Sequence, residues 1–301
     1  MSEISKIEEA VGVIGLGLLG SALAERLVSG GLDVSGYDLD PGRRDDLQRM
    51  GGRPLESSAD VARCCRYLLL VLPDDRVSRR VIAELESTFV PGTVILDATT
   101  GDADATAELG TWLAGRGIFY LDMTVSGSSV QARQGEAILM VGGPEGAFER
   151  CRSVFNLLSH RTIHTGPCGN GAKMKLVTNL VLGLNRAALA EGLVFARRIG
   201  LDAEQALEVL RASMAYSRAM DTKGDKMTRG DFSVQARLSQ HLKDVNLMLD
   251  AAGRAGQRVP LTEAHRELLD SAMELGLGDM DNSAILLAIE KLGQHDREGA
   301  G

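Results

Sequence analysis

The chain has 301 residues, 44% of them hydrophobic but only 4% aromatic, and a formal net charge of −8. That length favours two domains, with cores built from Leu, Val, Ile, Ala and Met. The acidic balance argues against a surface spread over nucleic acid and lends no support to an anionic membrane as partner.

Residues 1–10 are polar and acidic. They lack the basic start and apolar stretch of a secretory signal and predict a short, loosely attached lead-in. No uninterrupted apolar run approaches the ~20 residues that span a bilayer. The cysteines are Cys64, Cys65, Cys151 and Cys168. None has metal-ligand spacing, so they read as reduced thiols of a cytoplasmic protein without a metal centre.

Short apolar runs then recur at 11–14, 32–37, 67–72, 93–96, 118–121, 137–141 and 162–164. Stretches with helical spacing lie between most of them, for example 21–28 and 101–114. This alternation predicts βαβ units and a doubly wound, mainly parallel α/β sheet. The 67–72 run has no polar alternation, which suits a strand covered on both faces.

After Gly169 the pattern becomes helical throughout. A stretch over 172–198 has no proline and predicts a helix of ~27 residues, about 40 Å long. Further helical patterns cover 202–212, 235–252, 261–275 and 282–292, separated by Gly200, Gly253, Gly256, Pro260, Gly276 and Gly278. The expected division is a dinucleotide-binding α/β domain over 1–165 and an all-helical substrate and oligomerisation domain over 166–301. The break is expected in the Gly- and Pro-rich stretch 165–171.

The turn Gly15-Leu16-Gly17-Leu18-Leu19-Gly20 follows the first apolar run and opens a helix. Gly15 allows a tight turn, Gly17 lets backbone approach a pyrophosphate, and Gly20 lets the helix pack on the strand. The amides near Leu18 and Leu19 can then bond phosphate oxygens. A strand–helix turn without ligand is the plainer alternative.

Asp38 ends the second run. An acidic residue there accepts hydrogen bonds from a ribose and repels a 2′-phosphate, favouring NAD over NADP. Asp38 could instead cap the helix before Pro41, and Arg43 or Arg44 could meet a phosphate, so NADP stays open. Leu72-Pro73 and Thr99-Thr100 follow the next two runs, where an open parallel sheet has its ligand crevice. Plain turn chemistry is the alternative, and for Pro73 alone it is the better reading. Residues 122–129, Asp-Met-Thr-Val-Ser-Gly-Ser-Ser, read as a hydroxyl-rich loop suited to a carboxylate. A polar turn is the alternative.

Lys175 and Asn179 are four residues apart and share a helix face. The preceding Gly169-Asn170-Gly171 would let backbone approach a cofactor. An alcohol that loses hydride must also lose its hydroxyl proton, and a lysine beside that oxygen can take it. A free lysine has a pKa of ~10.4, so the site would have to favour the neutral amine. Lys173, the obvious competitor, projects ~160–200° away. In isolation a helical lysine, Lys175 included, usually reads as a solvated charge. His160 and His164 read as edge residues. Met214, Met220, Met227, Met248 and Met273 read as core filling. His241 and Lys243 splay ~200° apart on a helix and do not form a unit.

Taken in order, these motifs resemble the β-hydroxyacid dehydrogenases, the group that includes 3-hydroxyisobutyrate dehydrogenase and tartronate semialdehyde reductase. The resemblance spans nearly the whole chain. It rests on the glycine turn, Leu72-Pro73, and Asp122 with Val125-Ser126-Gly127. It continues through Gly135-Glu136-Ala137, Gly142-Gly143, Gly169-x-Gly171, Lys175, Asn179, Ala190-Glu191-Gly192, Lys243-Asp244 and Asp281. It implies a Rossmann-type first domain and a long helix joining it to the second. Lys175 would be the catalytic lysine, and Asn179 a substrate contact. Ser126 and Gly127, with Ser128 beside them, would hold a carboxylate. Thr100 and Lys243 would lie near the cofactor, NAD or NADP. A homodimer or homotetramer is implied. Two departures, Thr124 for the usual proline and Ser128 for the usual second glycine, fall in the expected substrate loop. Two alternatives remain: an imine reductase-like enzyme on the same scaffold, although those enzymes usually lack the lysine, and a non-catalytic dinucleotide-binding module.

Overall fold

The computed structural model describes residues 10–298, so the expected lead-in lies outside the described residues. It divides into two compact units, Met1–Lys175 and Leu176–Gly301. The division falls inside one long helix.

The first unit carries strands β1 (Val11–Ile14), β2 (Val34–Tyr37), β3 (Arg53–Pro54), β4 (Tyr67–Leu70), β5 (Val94–Asp97), β6 (Phe119–Ser126), β7 (Ile138–Gly142) and β8 (Arg161–His164). Its helices are α1 (Leu18–Ser29), α2 (Pro41–Arg49), α3 (Ser58–Cys64), α4 (Asp75–Leu85), α5 (Ala103–Ala114), α6 (Ser129–Gln134), α7 (Glu145–Arg150) and α8 (Arg152–Leu158). The strand order is β3-β2-β1-β4-β5-β6-β7-β8. Neighbouring strands are parallel except β6 and β7, which are antiparallel.

The sheet is covered on both faces, which is why its strands lack polar alternation. Leu69 and Leu96 pack into one apolar cluster, with Leu23 and Leu27 of α1. Leu68, Leu70 and Ile95 point the other way, against Ile82 of α4 and Leu113 of α5.

One expected strand differs in a way that bears on function. The run at 118–121 predicted a strand followed by a loop from Asp122. Instead β6 runs on to Ser126, and residues 122–125 are buried within it. Asp, Thr and Ser resemble turn chemistry in sequence. Here pairing with β7, from Asp122↔Gly142 to Ser126↔Ile138, holds them extended.

The second unit begins within α9 (Asn170–Arg198) and continues through α10 (Ala203–Ala212), α11 (Asp225–Arg229), α12 (Leu238–Arg254), α13 (Pro260–Glu274) and α14 (Ile285–Glu298). A π-helical turn at Met220–Gly224 precedes α11, and sequence spacing showed neither. The core joins Leu189 and Leu193 of α9 to Val245, Leu269 and Ile285. Met220, Met227 and Met248 belong to it, whereas Met214 is fully exposed and Met273 is also exposed, so neither fills the core.

The long helix also amends the reading of apolar length. With a mean hydropathy of 1.2 over an 18-residue window, α9 is long and apolar enough to cross a membrane. Asn179, Asn185 and Arg186 interrupt its apolar run. A core helix passes the same test, and 44% of the window is buried.

Candidate active site

The glycine turn sits where the strand order reverses, between β1 and β4, at the carboxyl ends of the strands. This is the crevice in which doubly wound sheets bind ligands. Gly15 has φ of +94°, and a Cβ on it would lie 2.2 Å from the Val71 carbonyl oxygen. A Cβ on Gly20 would lie 2.0 Å from the Gly15 carbonyl oxygen. Those two glycines are required by the fold itself. Gly17 is different: a Cβ there would meet nothing within 4 Å.

The first turn of α1 has no side-chain cap and no acidic residue. First-turn amides have no acceptors within their own helix. Bare backbone, open space and uncapped amides together fit a pyrophosphate. Leu18, at the start of α1, is exposed and Leu16 is buried beneath the turn.

Asp38 faces this turn from the end of β2. Its carboxylate accepts a hydrogen bond from the Leu16 amide at 2.6 Å and another from the Asp40 amide at 2.9 Å. Asp38 is not the helix cap. Asp40 caps α2 by accepting from the Gly42 amide at 2.8 Å. Arg44 donates to the Asp38 carbonyl at 2.6 Å and lies over the Tyr37 ring.

The turns after β4 and β5 are tied together. The Leu72 amide donates to the Thr99 hydroxyl at 3.2 Å, beside Pro73 and Thr100. Thr99 is fixed in turn by Asp97, whose carboxylate accepts from the Thr99 amide at 2.9 Å, from the Tyr120 hydroxyl at 2.8 Å and from the Ser78 hydroxyl. Burial raises the Asp97 carboxyl above its ordinary range, against the pull of these donors. The sequence reading missed this network. Its one signal was an aspartate closing an otherwise apolar run.

The expected substrate segment divides in two. Gly127 and Ser128 are exposed at the turn after β6, with Ser126 half-buried before them. Gly127 has φ of +149°, and its Cβ would lie 2.9 Å from that of Ala137. Ser128 caps α6: its hydroxyl accepts from the Gln131 amide, and its own amide donates to the Gln131 side chain at 2.9 Å. That leaves its hydroxyl proton, not its amide, for other contacts. Thr124 is fully buried and donates to the Gly171 carbonyl at 2.9 Å, so its departure from the family pattern lies outside the exposed turn.

Lys175 lies on α9, and its Nζ donates to the Val125 carbonyl at 2.6 Å. β6 runs parallel to β5 and continues past its end, so the ammonium group stands at the carboxyl edge of the sheet, beside Ser126 and Gly127. Lys173 is exposed. The preceding glycines serve packing. A Cβ on Gly171 would lie 2.3 Å from the Asp122 carbonyl oxygen, and one on Gly169 would lie 2.7 Å from that of Ala103. Strand β6 and helix α5 occupy the space that side chains there would need.

In the second unit, Asn179 donates to the Asp244 carboxylate at 3.0 Å. Lys243, next in sequence, is exposed. Asp281 is structural. Its buried carboxylate accepts from Lys223 at 2.8 Å and from the amides of Gln235 and Ser283 at 2.9 and 3.1 Å. Burial would raise this carboxyl, but those donors outweigh it and bring it down to about 2. Among the described residues, no group of three or more His, Cys, Asp or Glu is placed to hold a metal ion.

Residues 10–166 match the family described as the NAD binding domain of 6-phosphogluconate dehydrogenase. Residues 169–289 match the NAD-binding family of NADP-dependent 3-hydroxyisobutyrate dehydrogenase. The chain is 30% identical over 283 residues to glyoxylate/succinic semialdehyde reductase 1 of Arabidopsis thaliana, covering 93% of this chain and 98% of that one. It is 29% identical over 288 residues to 2-hydroxy-3-oxopropionate reductase of Escherichia coli, covering 95% and 98%. The structure of Mycobacterium tuberculosis 3-hydroxyisobutyrate dehydrogenase with L-serine superposes with a TM-score of 0.86 at 25% identity, covering 93% of this chain and 99% of that one.

Proposed function

The chain belongs to the β-hydroxyacid dehydrogenase family, and from that premise we propose that Lys175 moves the proton while hydride passes between NAD(P) and a β-hydroxyacid or its semialdehyde or keto form. The protein is an NAD(P)-dependent oxidoreductase acting on the CH–OH group of hydroxy acids. When bound, the nicotinamide supplies the hydride acceptor or donor.

The observation that carries the proton role is the placement of the Lys175 Nζ at the end of β6, beside the exposed Gly127. In oxidation, the neutral amine takes the hydroxyl proton as the C–H bond breaks and the carbonyl forms. In reduction, the ammonium returns a proton to the carbonyl oxygen. Ser126, Gly127 and the Ser128 hydroxyl hold the substrate carboxylate. Asn179, one helical turn beyond Lys175, orients the substrate, and its bond to Asp244 fixes its amide. The glycine turn holds the pyrophosphate. Leu72, Pro73, Thr100 and Lys243 complete the cofactor contacts, and Asp38 favours NAD over NADP.

The homologous enzymes act on small acids, so the substrate is read as a small carboxylate. A homodimer or homotetramer is supported by the exposed Val177, Val181 and Phe195 on α9, which water would otherwise cover. The free cysteines are consistent with a cytoplasmic setting.

Absorbance at the reduced nicotinamide band tests this reading, using a panel of hydroxyacids and semialdehydes with NAD and with NADP. Turnover of a β-hydroxyacid is expected. Turnover confined to cyclic imines would favour the imine reductase-like alternative. Dinucleotide binding without any turnover would favour the non-catalytic module.

A further inference from the structure

We propose that Asp122 is a positioning residue for Lys175, fixing the first turn of α9 on strand β6 so that the lysine amine reaches the reacting oxygen. The proposal rests on the acid/base reading of Lys175.

Asp122 is 2% exposed, and its two carboxylate oxygens are both taken. One accepts from the Gly169 amide at 2.8 Å, the other from the Ala172 amide at 2.9 Å. These amides belong to the start of α9, where no intrahelical acceptor exists. A carboxylate there also opposes the positive end of the helix dipole. With both oxygens engaged and the side chain buried, Asp122 is not placed to touch a substrate.

The same strand grips the helix twice more. The Thr124 hydroxyl donates to the Gly171 carbonyl at 2.9 Å. Lys175 follows one turn later and reaches back to the Val125 carbonyl at 2.6 Å. Residues 122, 124 and 125 of one strand thus fix where the helix starts and where its lysine ends. The fit leaves no slack. A Cβ on Gly142 would lie 2.4 Å from the Asp122 carboxylate, and one on Gly171 would lie 2.7 Å from it. Moving the helix start would carry Lys175 with it.

The test is a double-mutant cycle on the full chain, with NAD and the best hydroxyacid of the panel. Asp122→Asn keeps one acceptor but presents a donor to the other amide. It should lower kcat about 10²-fold, the usual scale for a misplacement of about 1 Å, with the NAD dissociation constant nearly unchanged. In a Lys175→Ala background, Asp122→Asn should cost nothing further, because the residue acts only through the lysine. A merely structural role would slow both backgrounds alike. The proposal is overturned by native kcat in Asp122→Asn, or by an equal loss in both backgrounds. Should Asp122→Asn fail to fold, Thr124→Val carries the same cycle. It keeps the side-chain shape without the hydroxyl and should lose several-fold in kcat in the native background only. Unchanged kcat there overturns the proposal. Native turnover in Lys175→Ala alone would sink the acid/base reading itself, a result distinct from all of these.

Discussion

The carboxylate of Asp38 accepts the Leu16 amide at 2.6 Å, so the residue expected to read the ribose also braces the glycine turn beneath it. Cofactor choice and turn geometry are therefore coupled through one side chain. Asp38→Asn retains an oxygen for the Leu16 amide and removes the charge. The NAD-over-NADP preference should narrow by about tenfold or more, the scale of one charge-assisted hydrogen bond. The ratio of kcat/KM values for the two cofactors measures it. A native preference for NADP would make the assignment of Asp38 wrong and point to Arg43 or Arg44.

The glycines of the turn should separate into two kinds. A methyl on Gly17 enters open space, whereas one on Gly20 strikes the Gly15 carbonyl. Gly17→Ala should keep the native melting temperature and lose dinucleotide affinity, because the methyl occupies the space left for the pyrophosphate. Gly20→Ala should lower the melting temperature. Equal melting temperatures for the two variants would show that the turn is not packed as described.

The helical unit should lose stability in mild acid. Burial first, then the Arg186 charge, depresses His265 to about 4, and burial with Arg186 and His265 pushes His241 down as well. Their ring centroids lie 5.2 Å apart, with the rings tilted by 45°. An unfolded histidine titrates near ~6.5. Between that pH and about 4 the unfolded chain binds more protons than the folded one. The stabilisation is thus complete above ~6.5 and declines as pH falls, by roughly 1.4 kcal/mol per pH unit for each histidine. Urea unfolding from pH 7 to 4.5 measures this slope, and His265→Gln should flatten it. An unchanged slope in that variant would place the acid sensitivity elsewhere.

Much of the fold was legible because its periodicities are strong. The alternation of apolar runs and helical stretches marked most of the sheet. The glycine turn was legible from its place between an apolar run and a helical stretch, where the structure has β1 and α1. The extension of β6 was hidden because Asp122, Thr124 and Ser126 carry the side chains of a loop. Only pairing with β7 and the first turn of α9 makes their burial favourable, through bonds to Gly169, Gly171 and Ala172. The brace of Ser78, Asp97, Thr99 and Tyr120 was equally invisible, since it joins residues distant in sequence. The Ser128 cap does carry a sequence signal: serine three residues before glutamine, at a helix start, is a capping box.

The proton role of Lys175 is tested most directly by the turnover of Lys175→Ala with the hydroxyacid that the native enzyme uses best. General acid–base catalysis is typically worth ~10²–10⁴-fold, or roughly 3–5 kcal/mol of barrier. Lys175→Ala should lose kcat within that range, keep NAD affinity nearly intact and lose one limb of the pH–rate profile, with Lys173→Ala costing far less. Near-native turnover in Lys175→Ala would contradict the proton role.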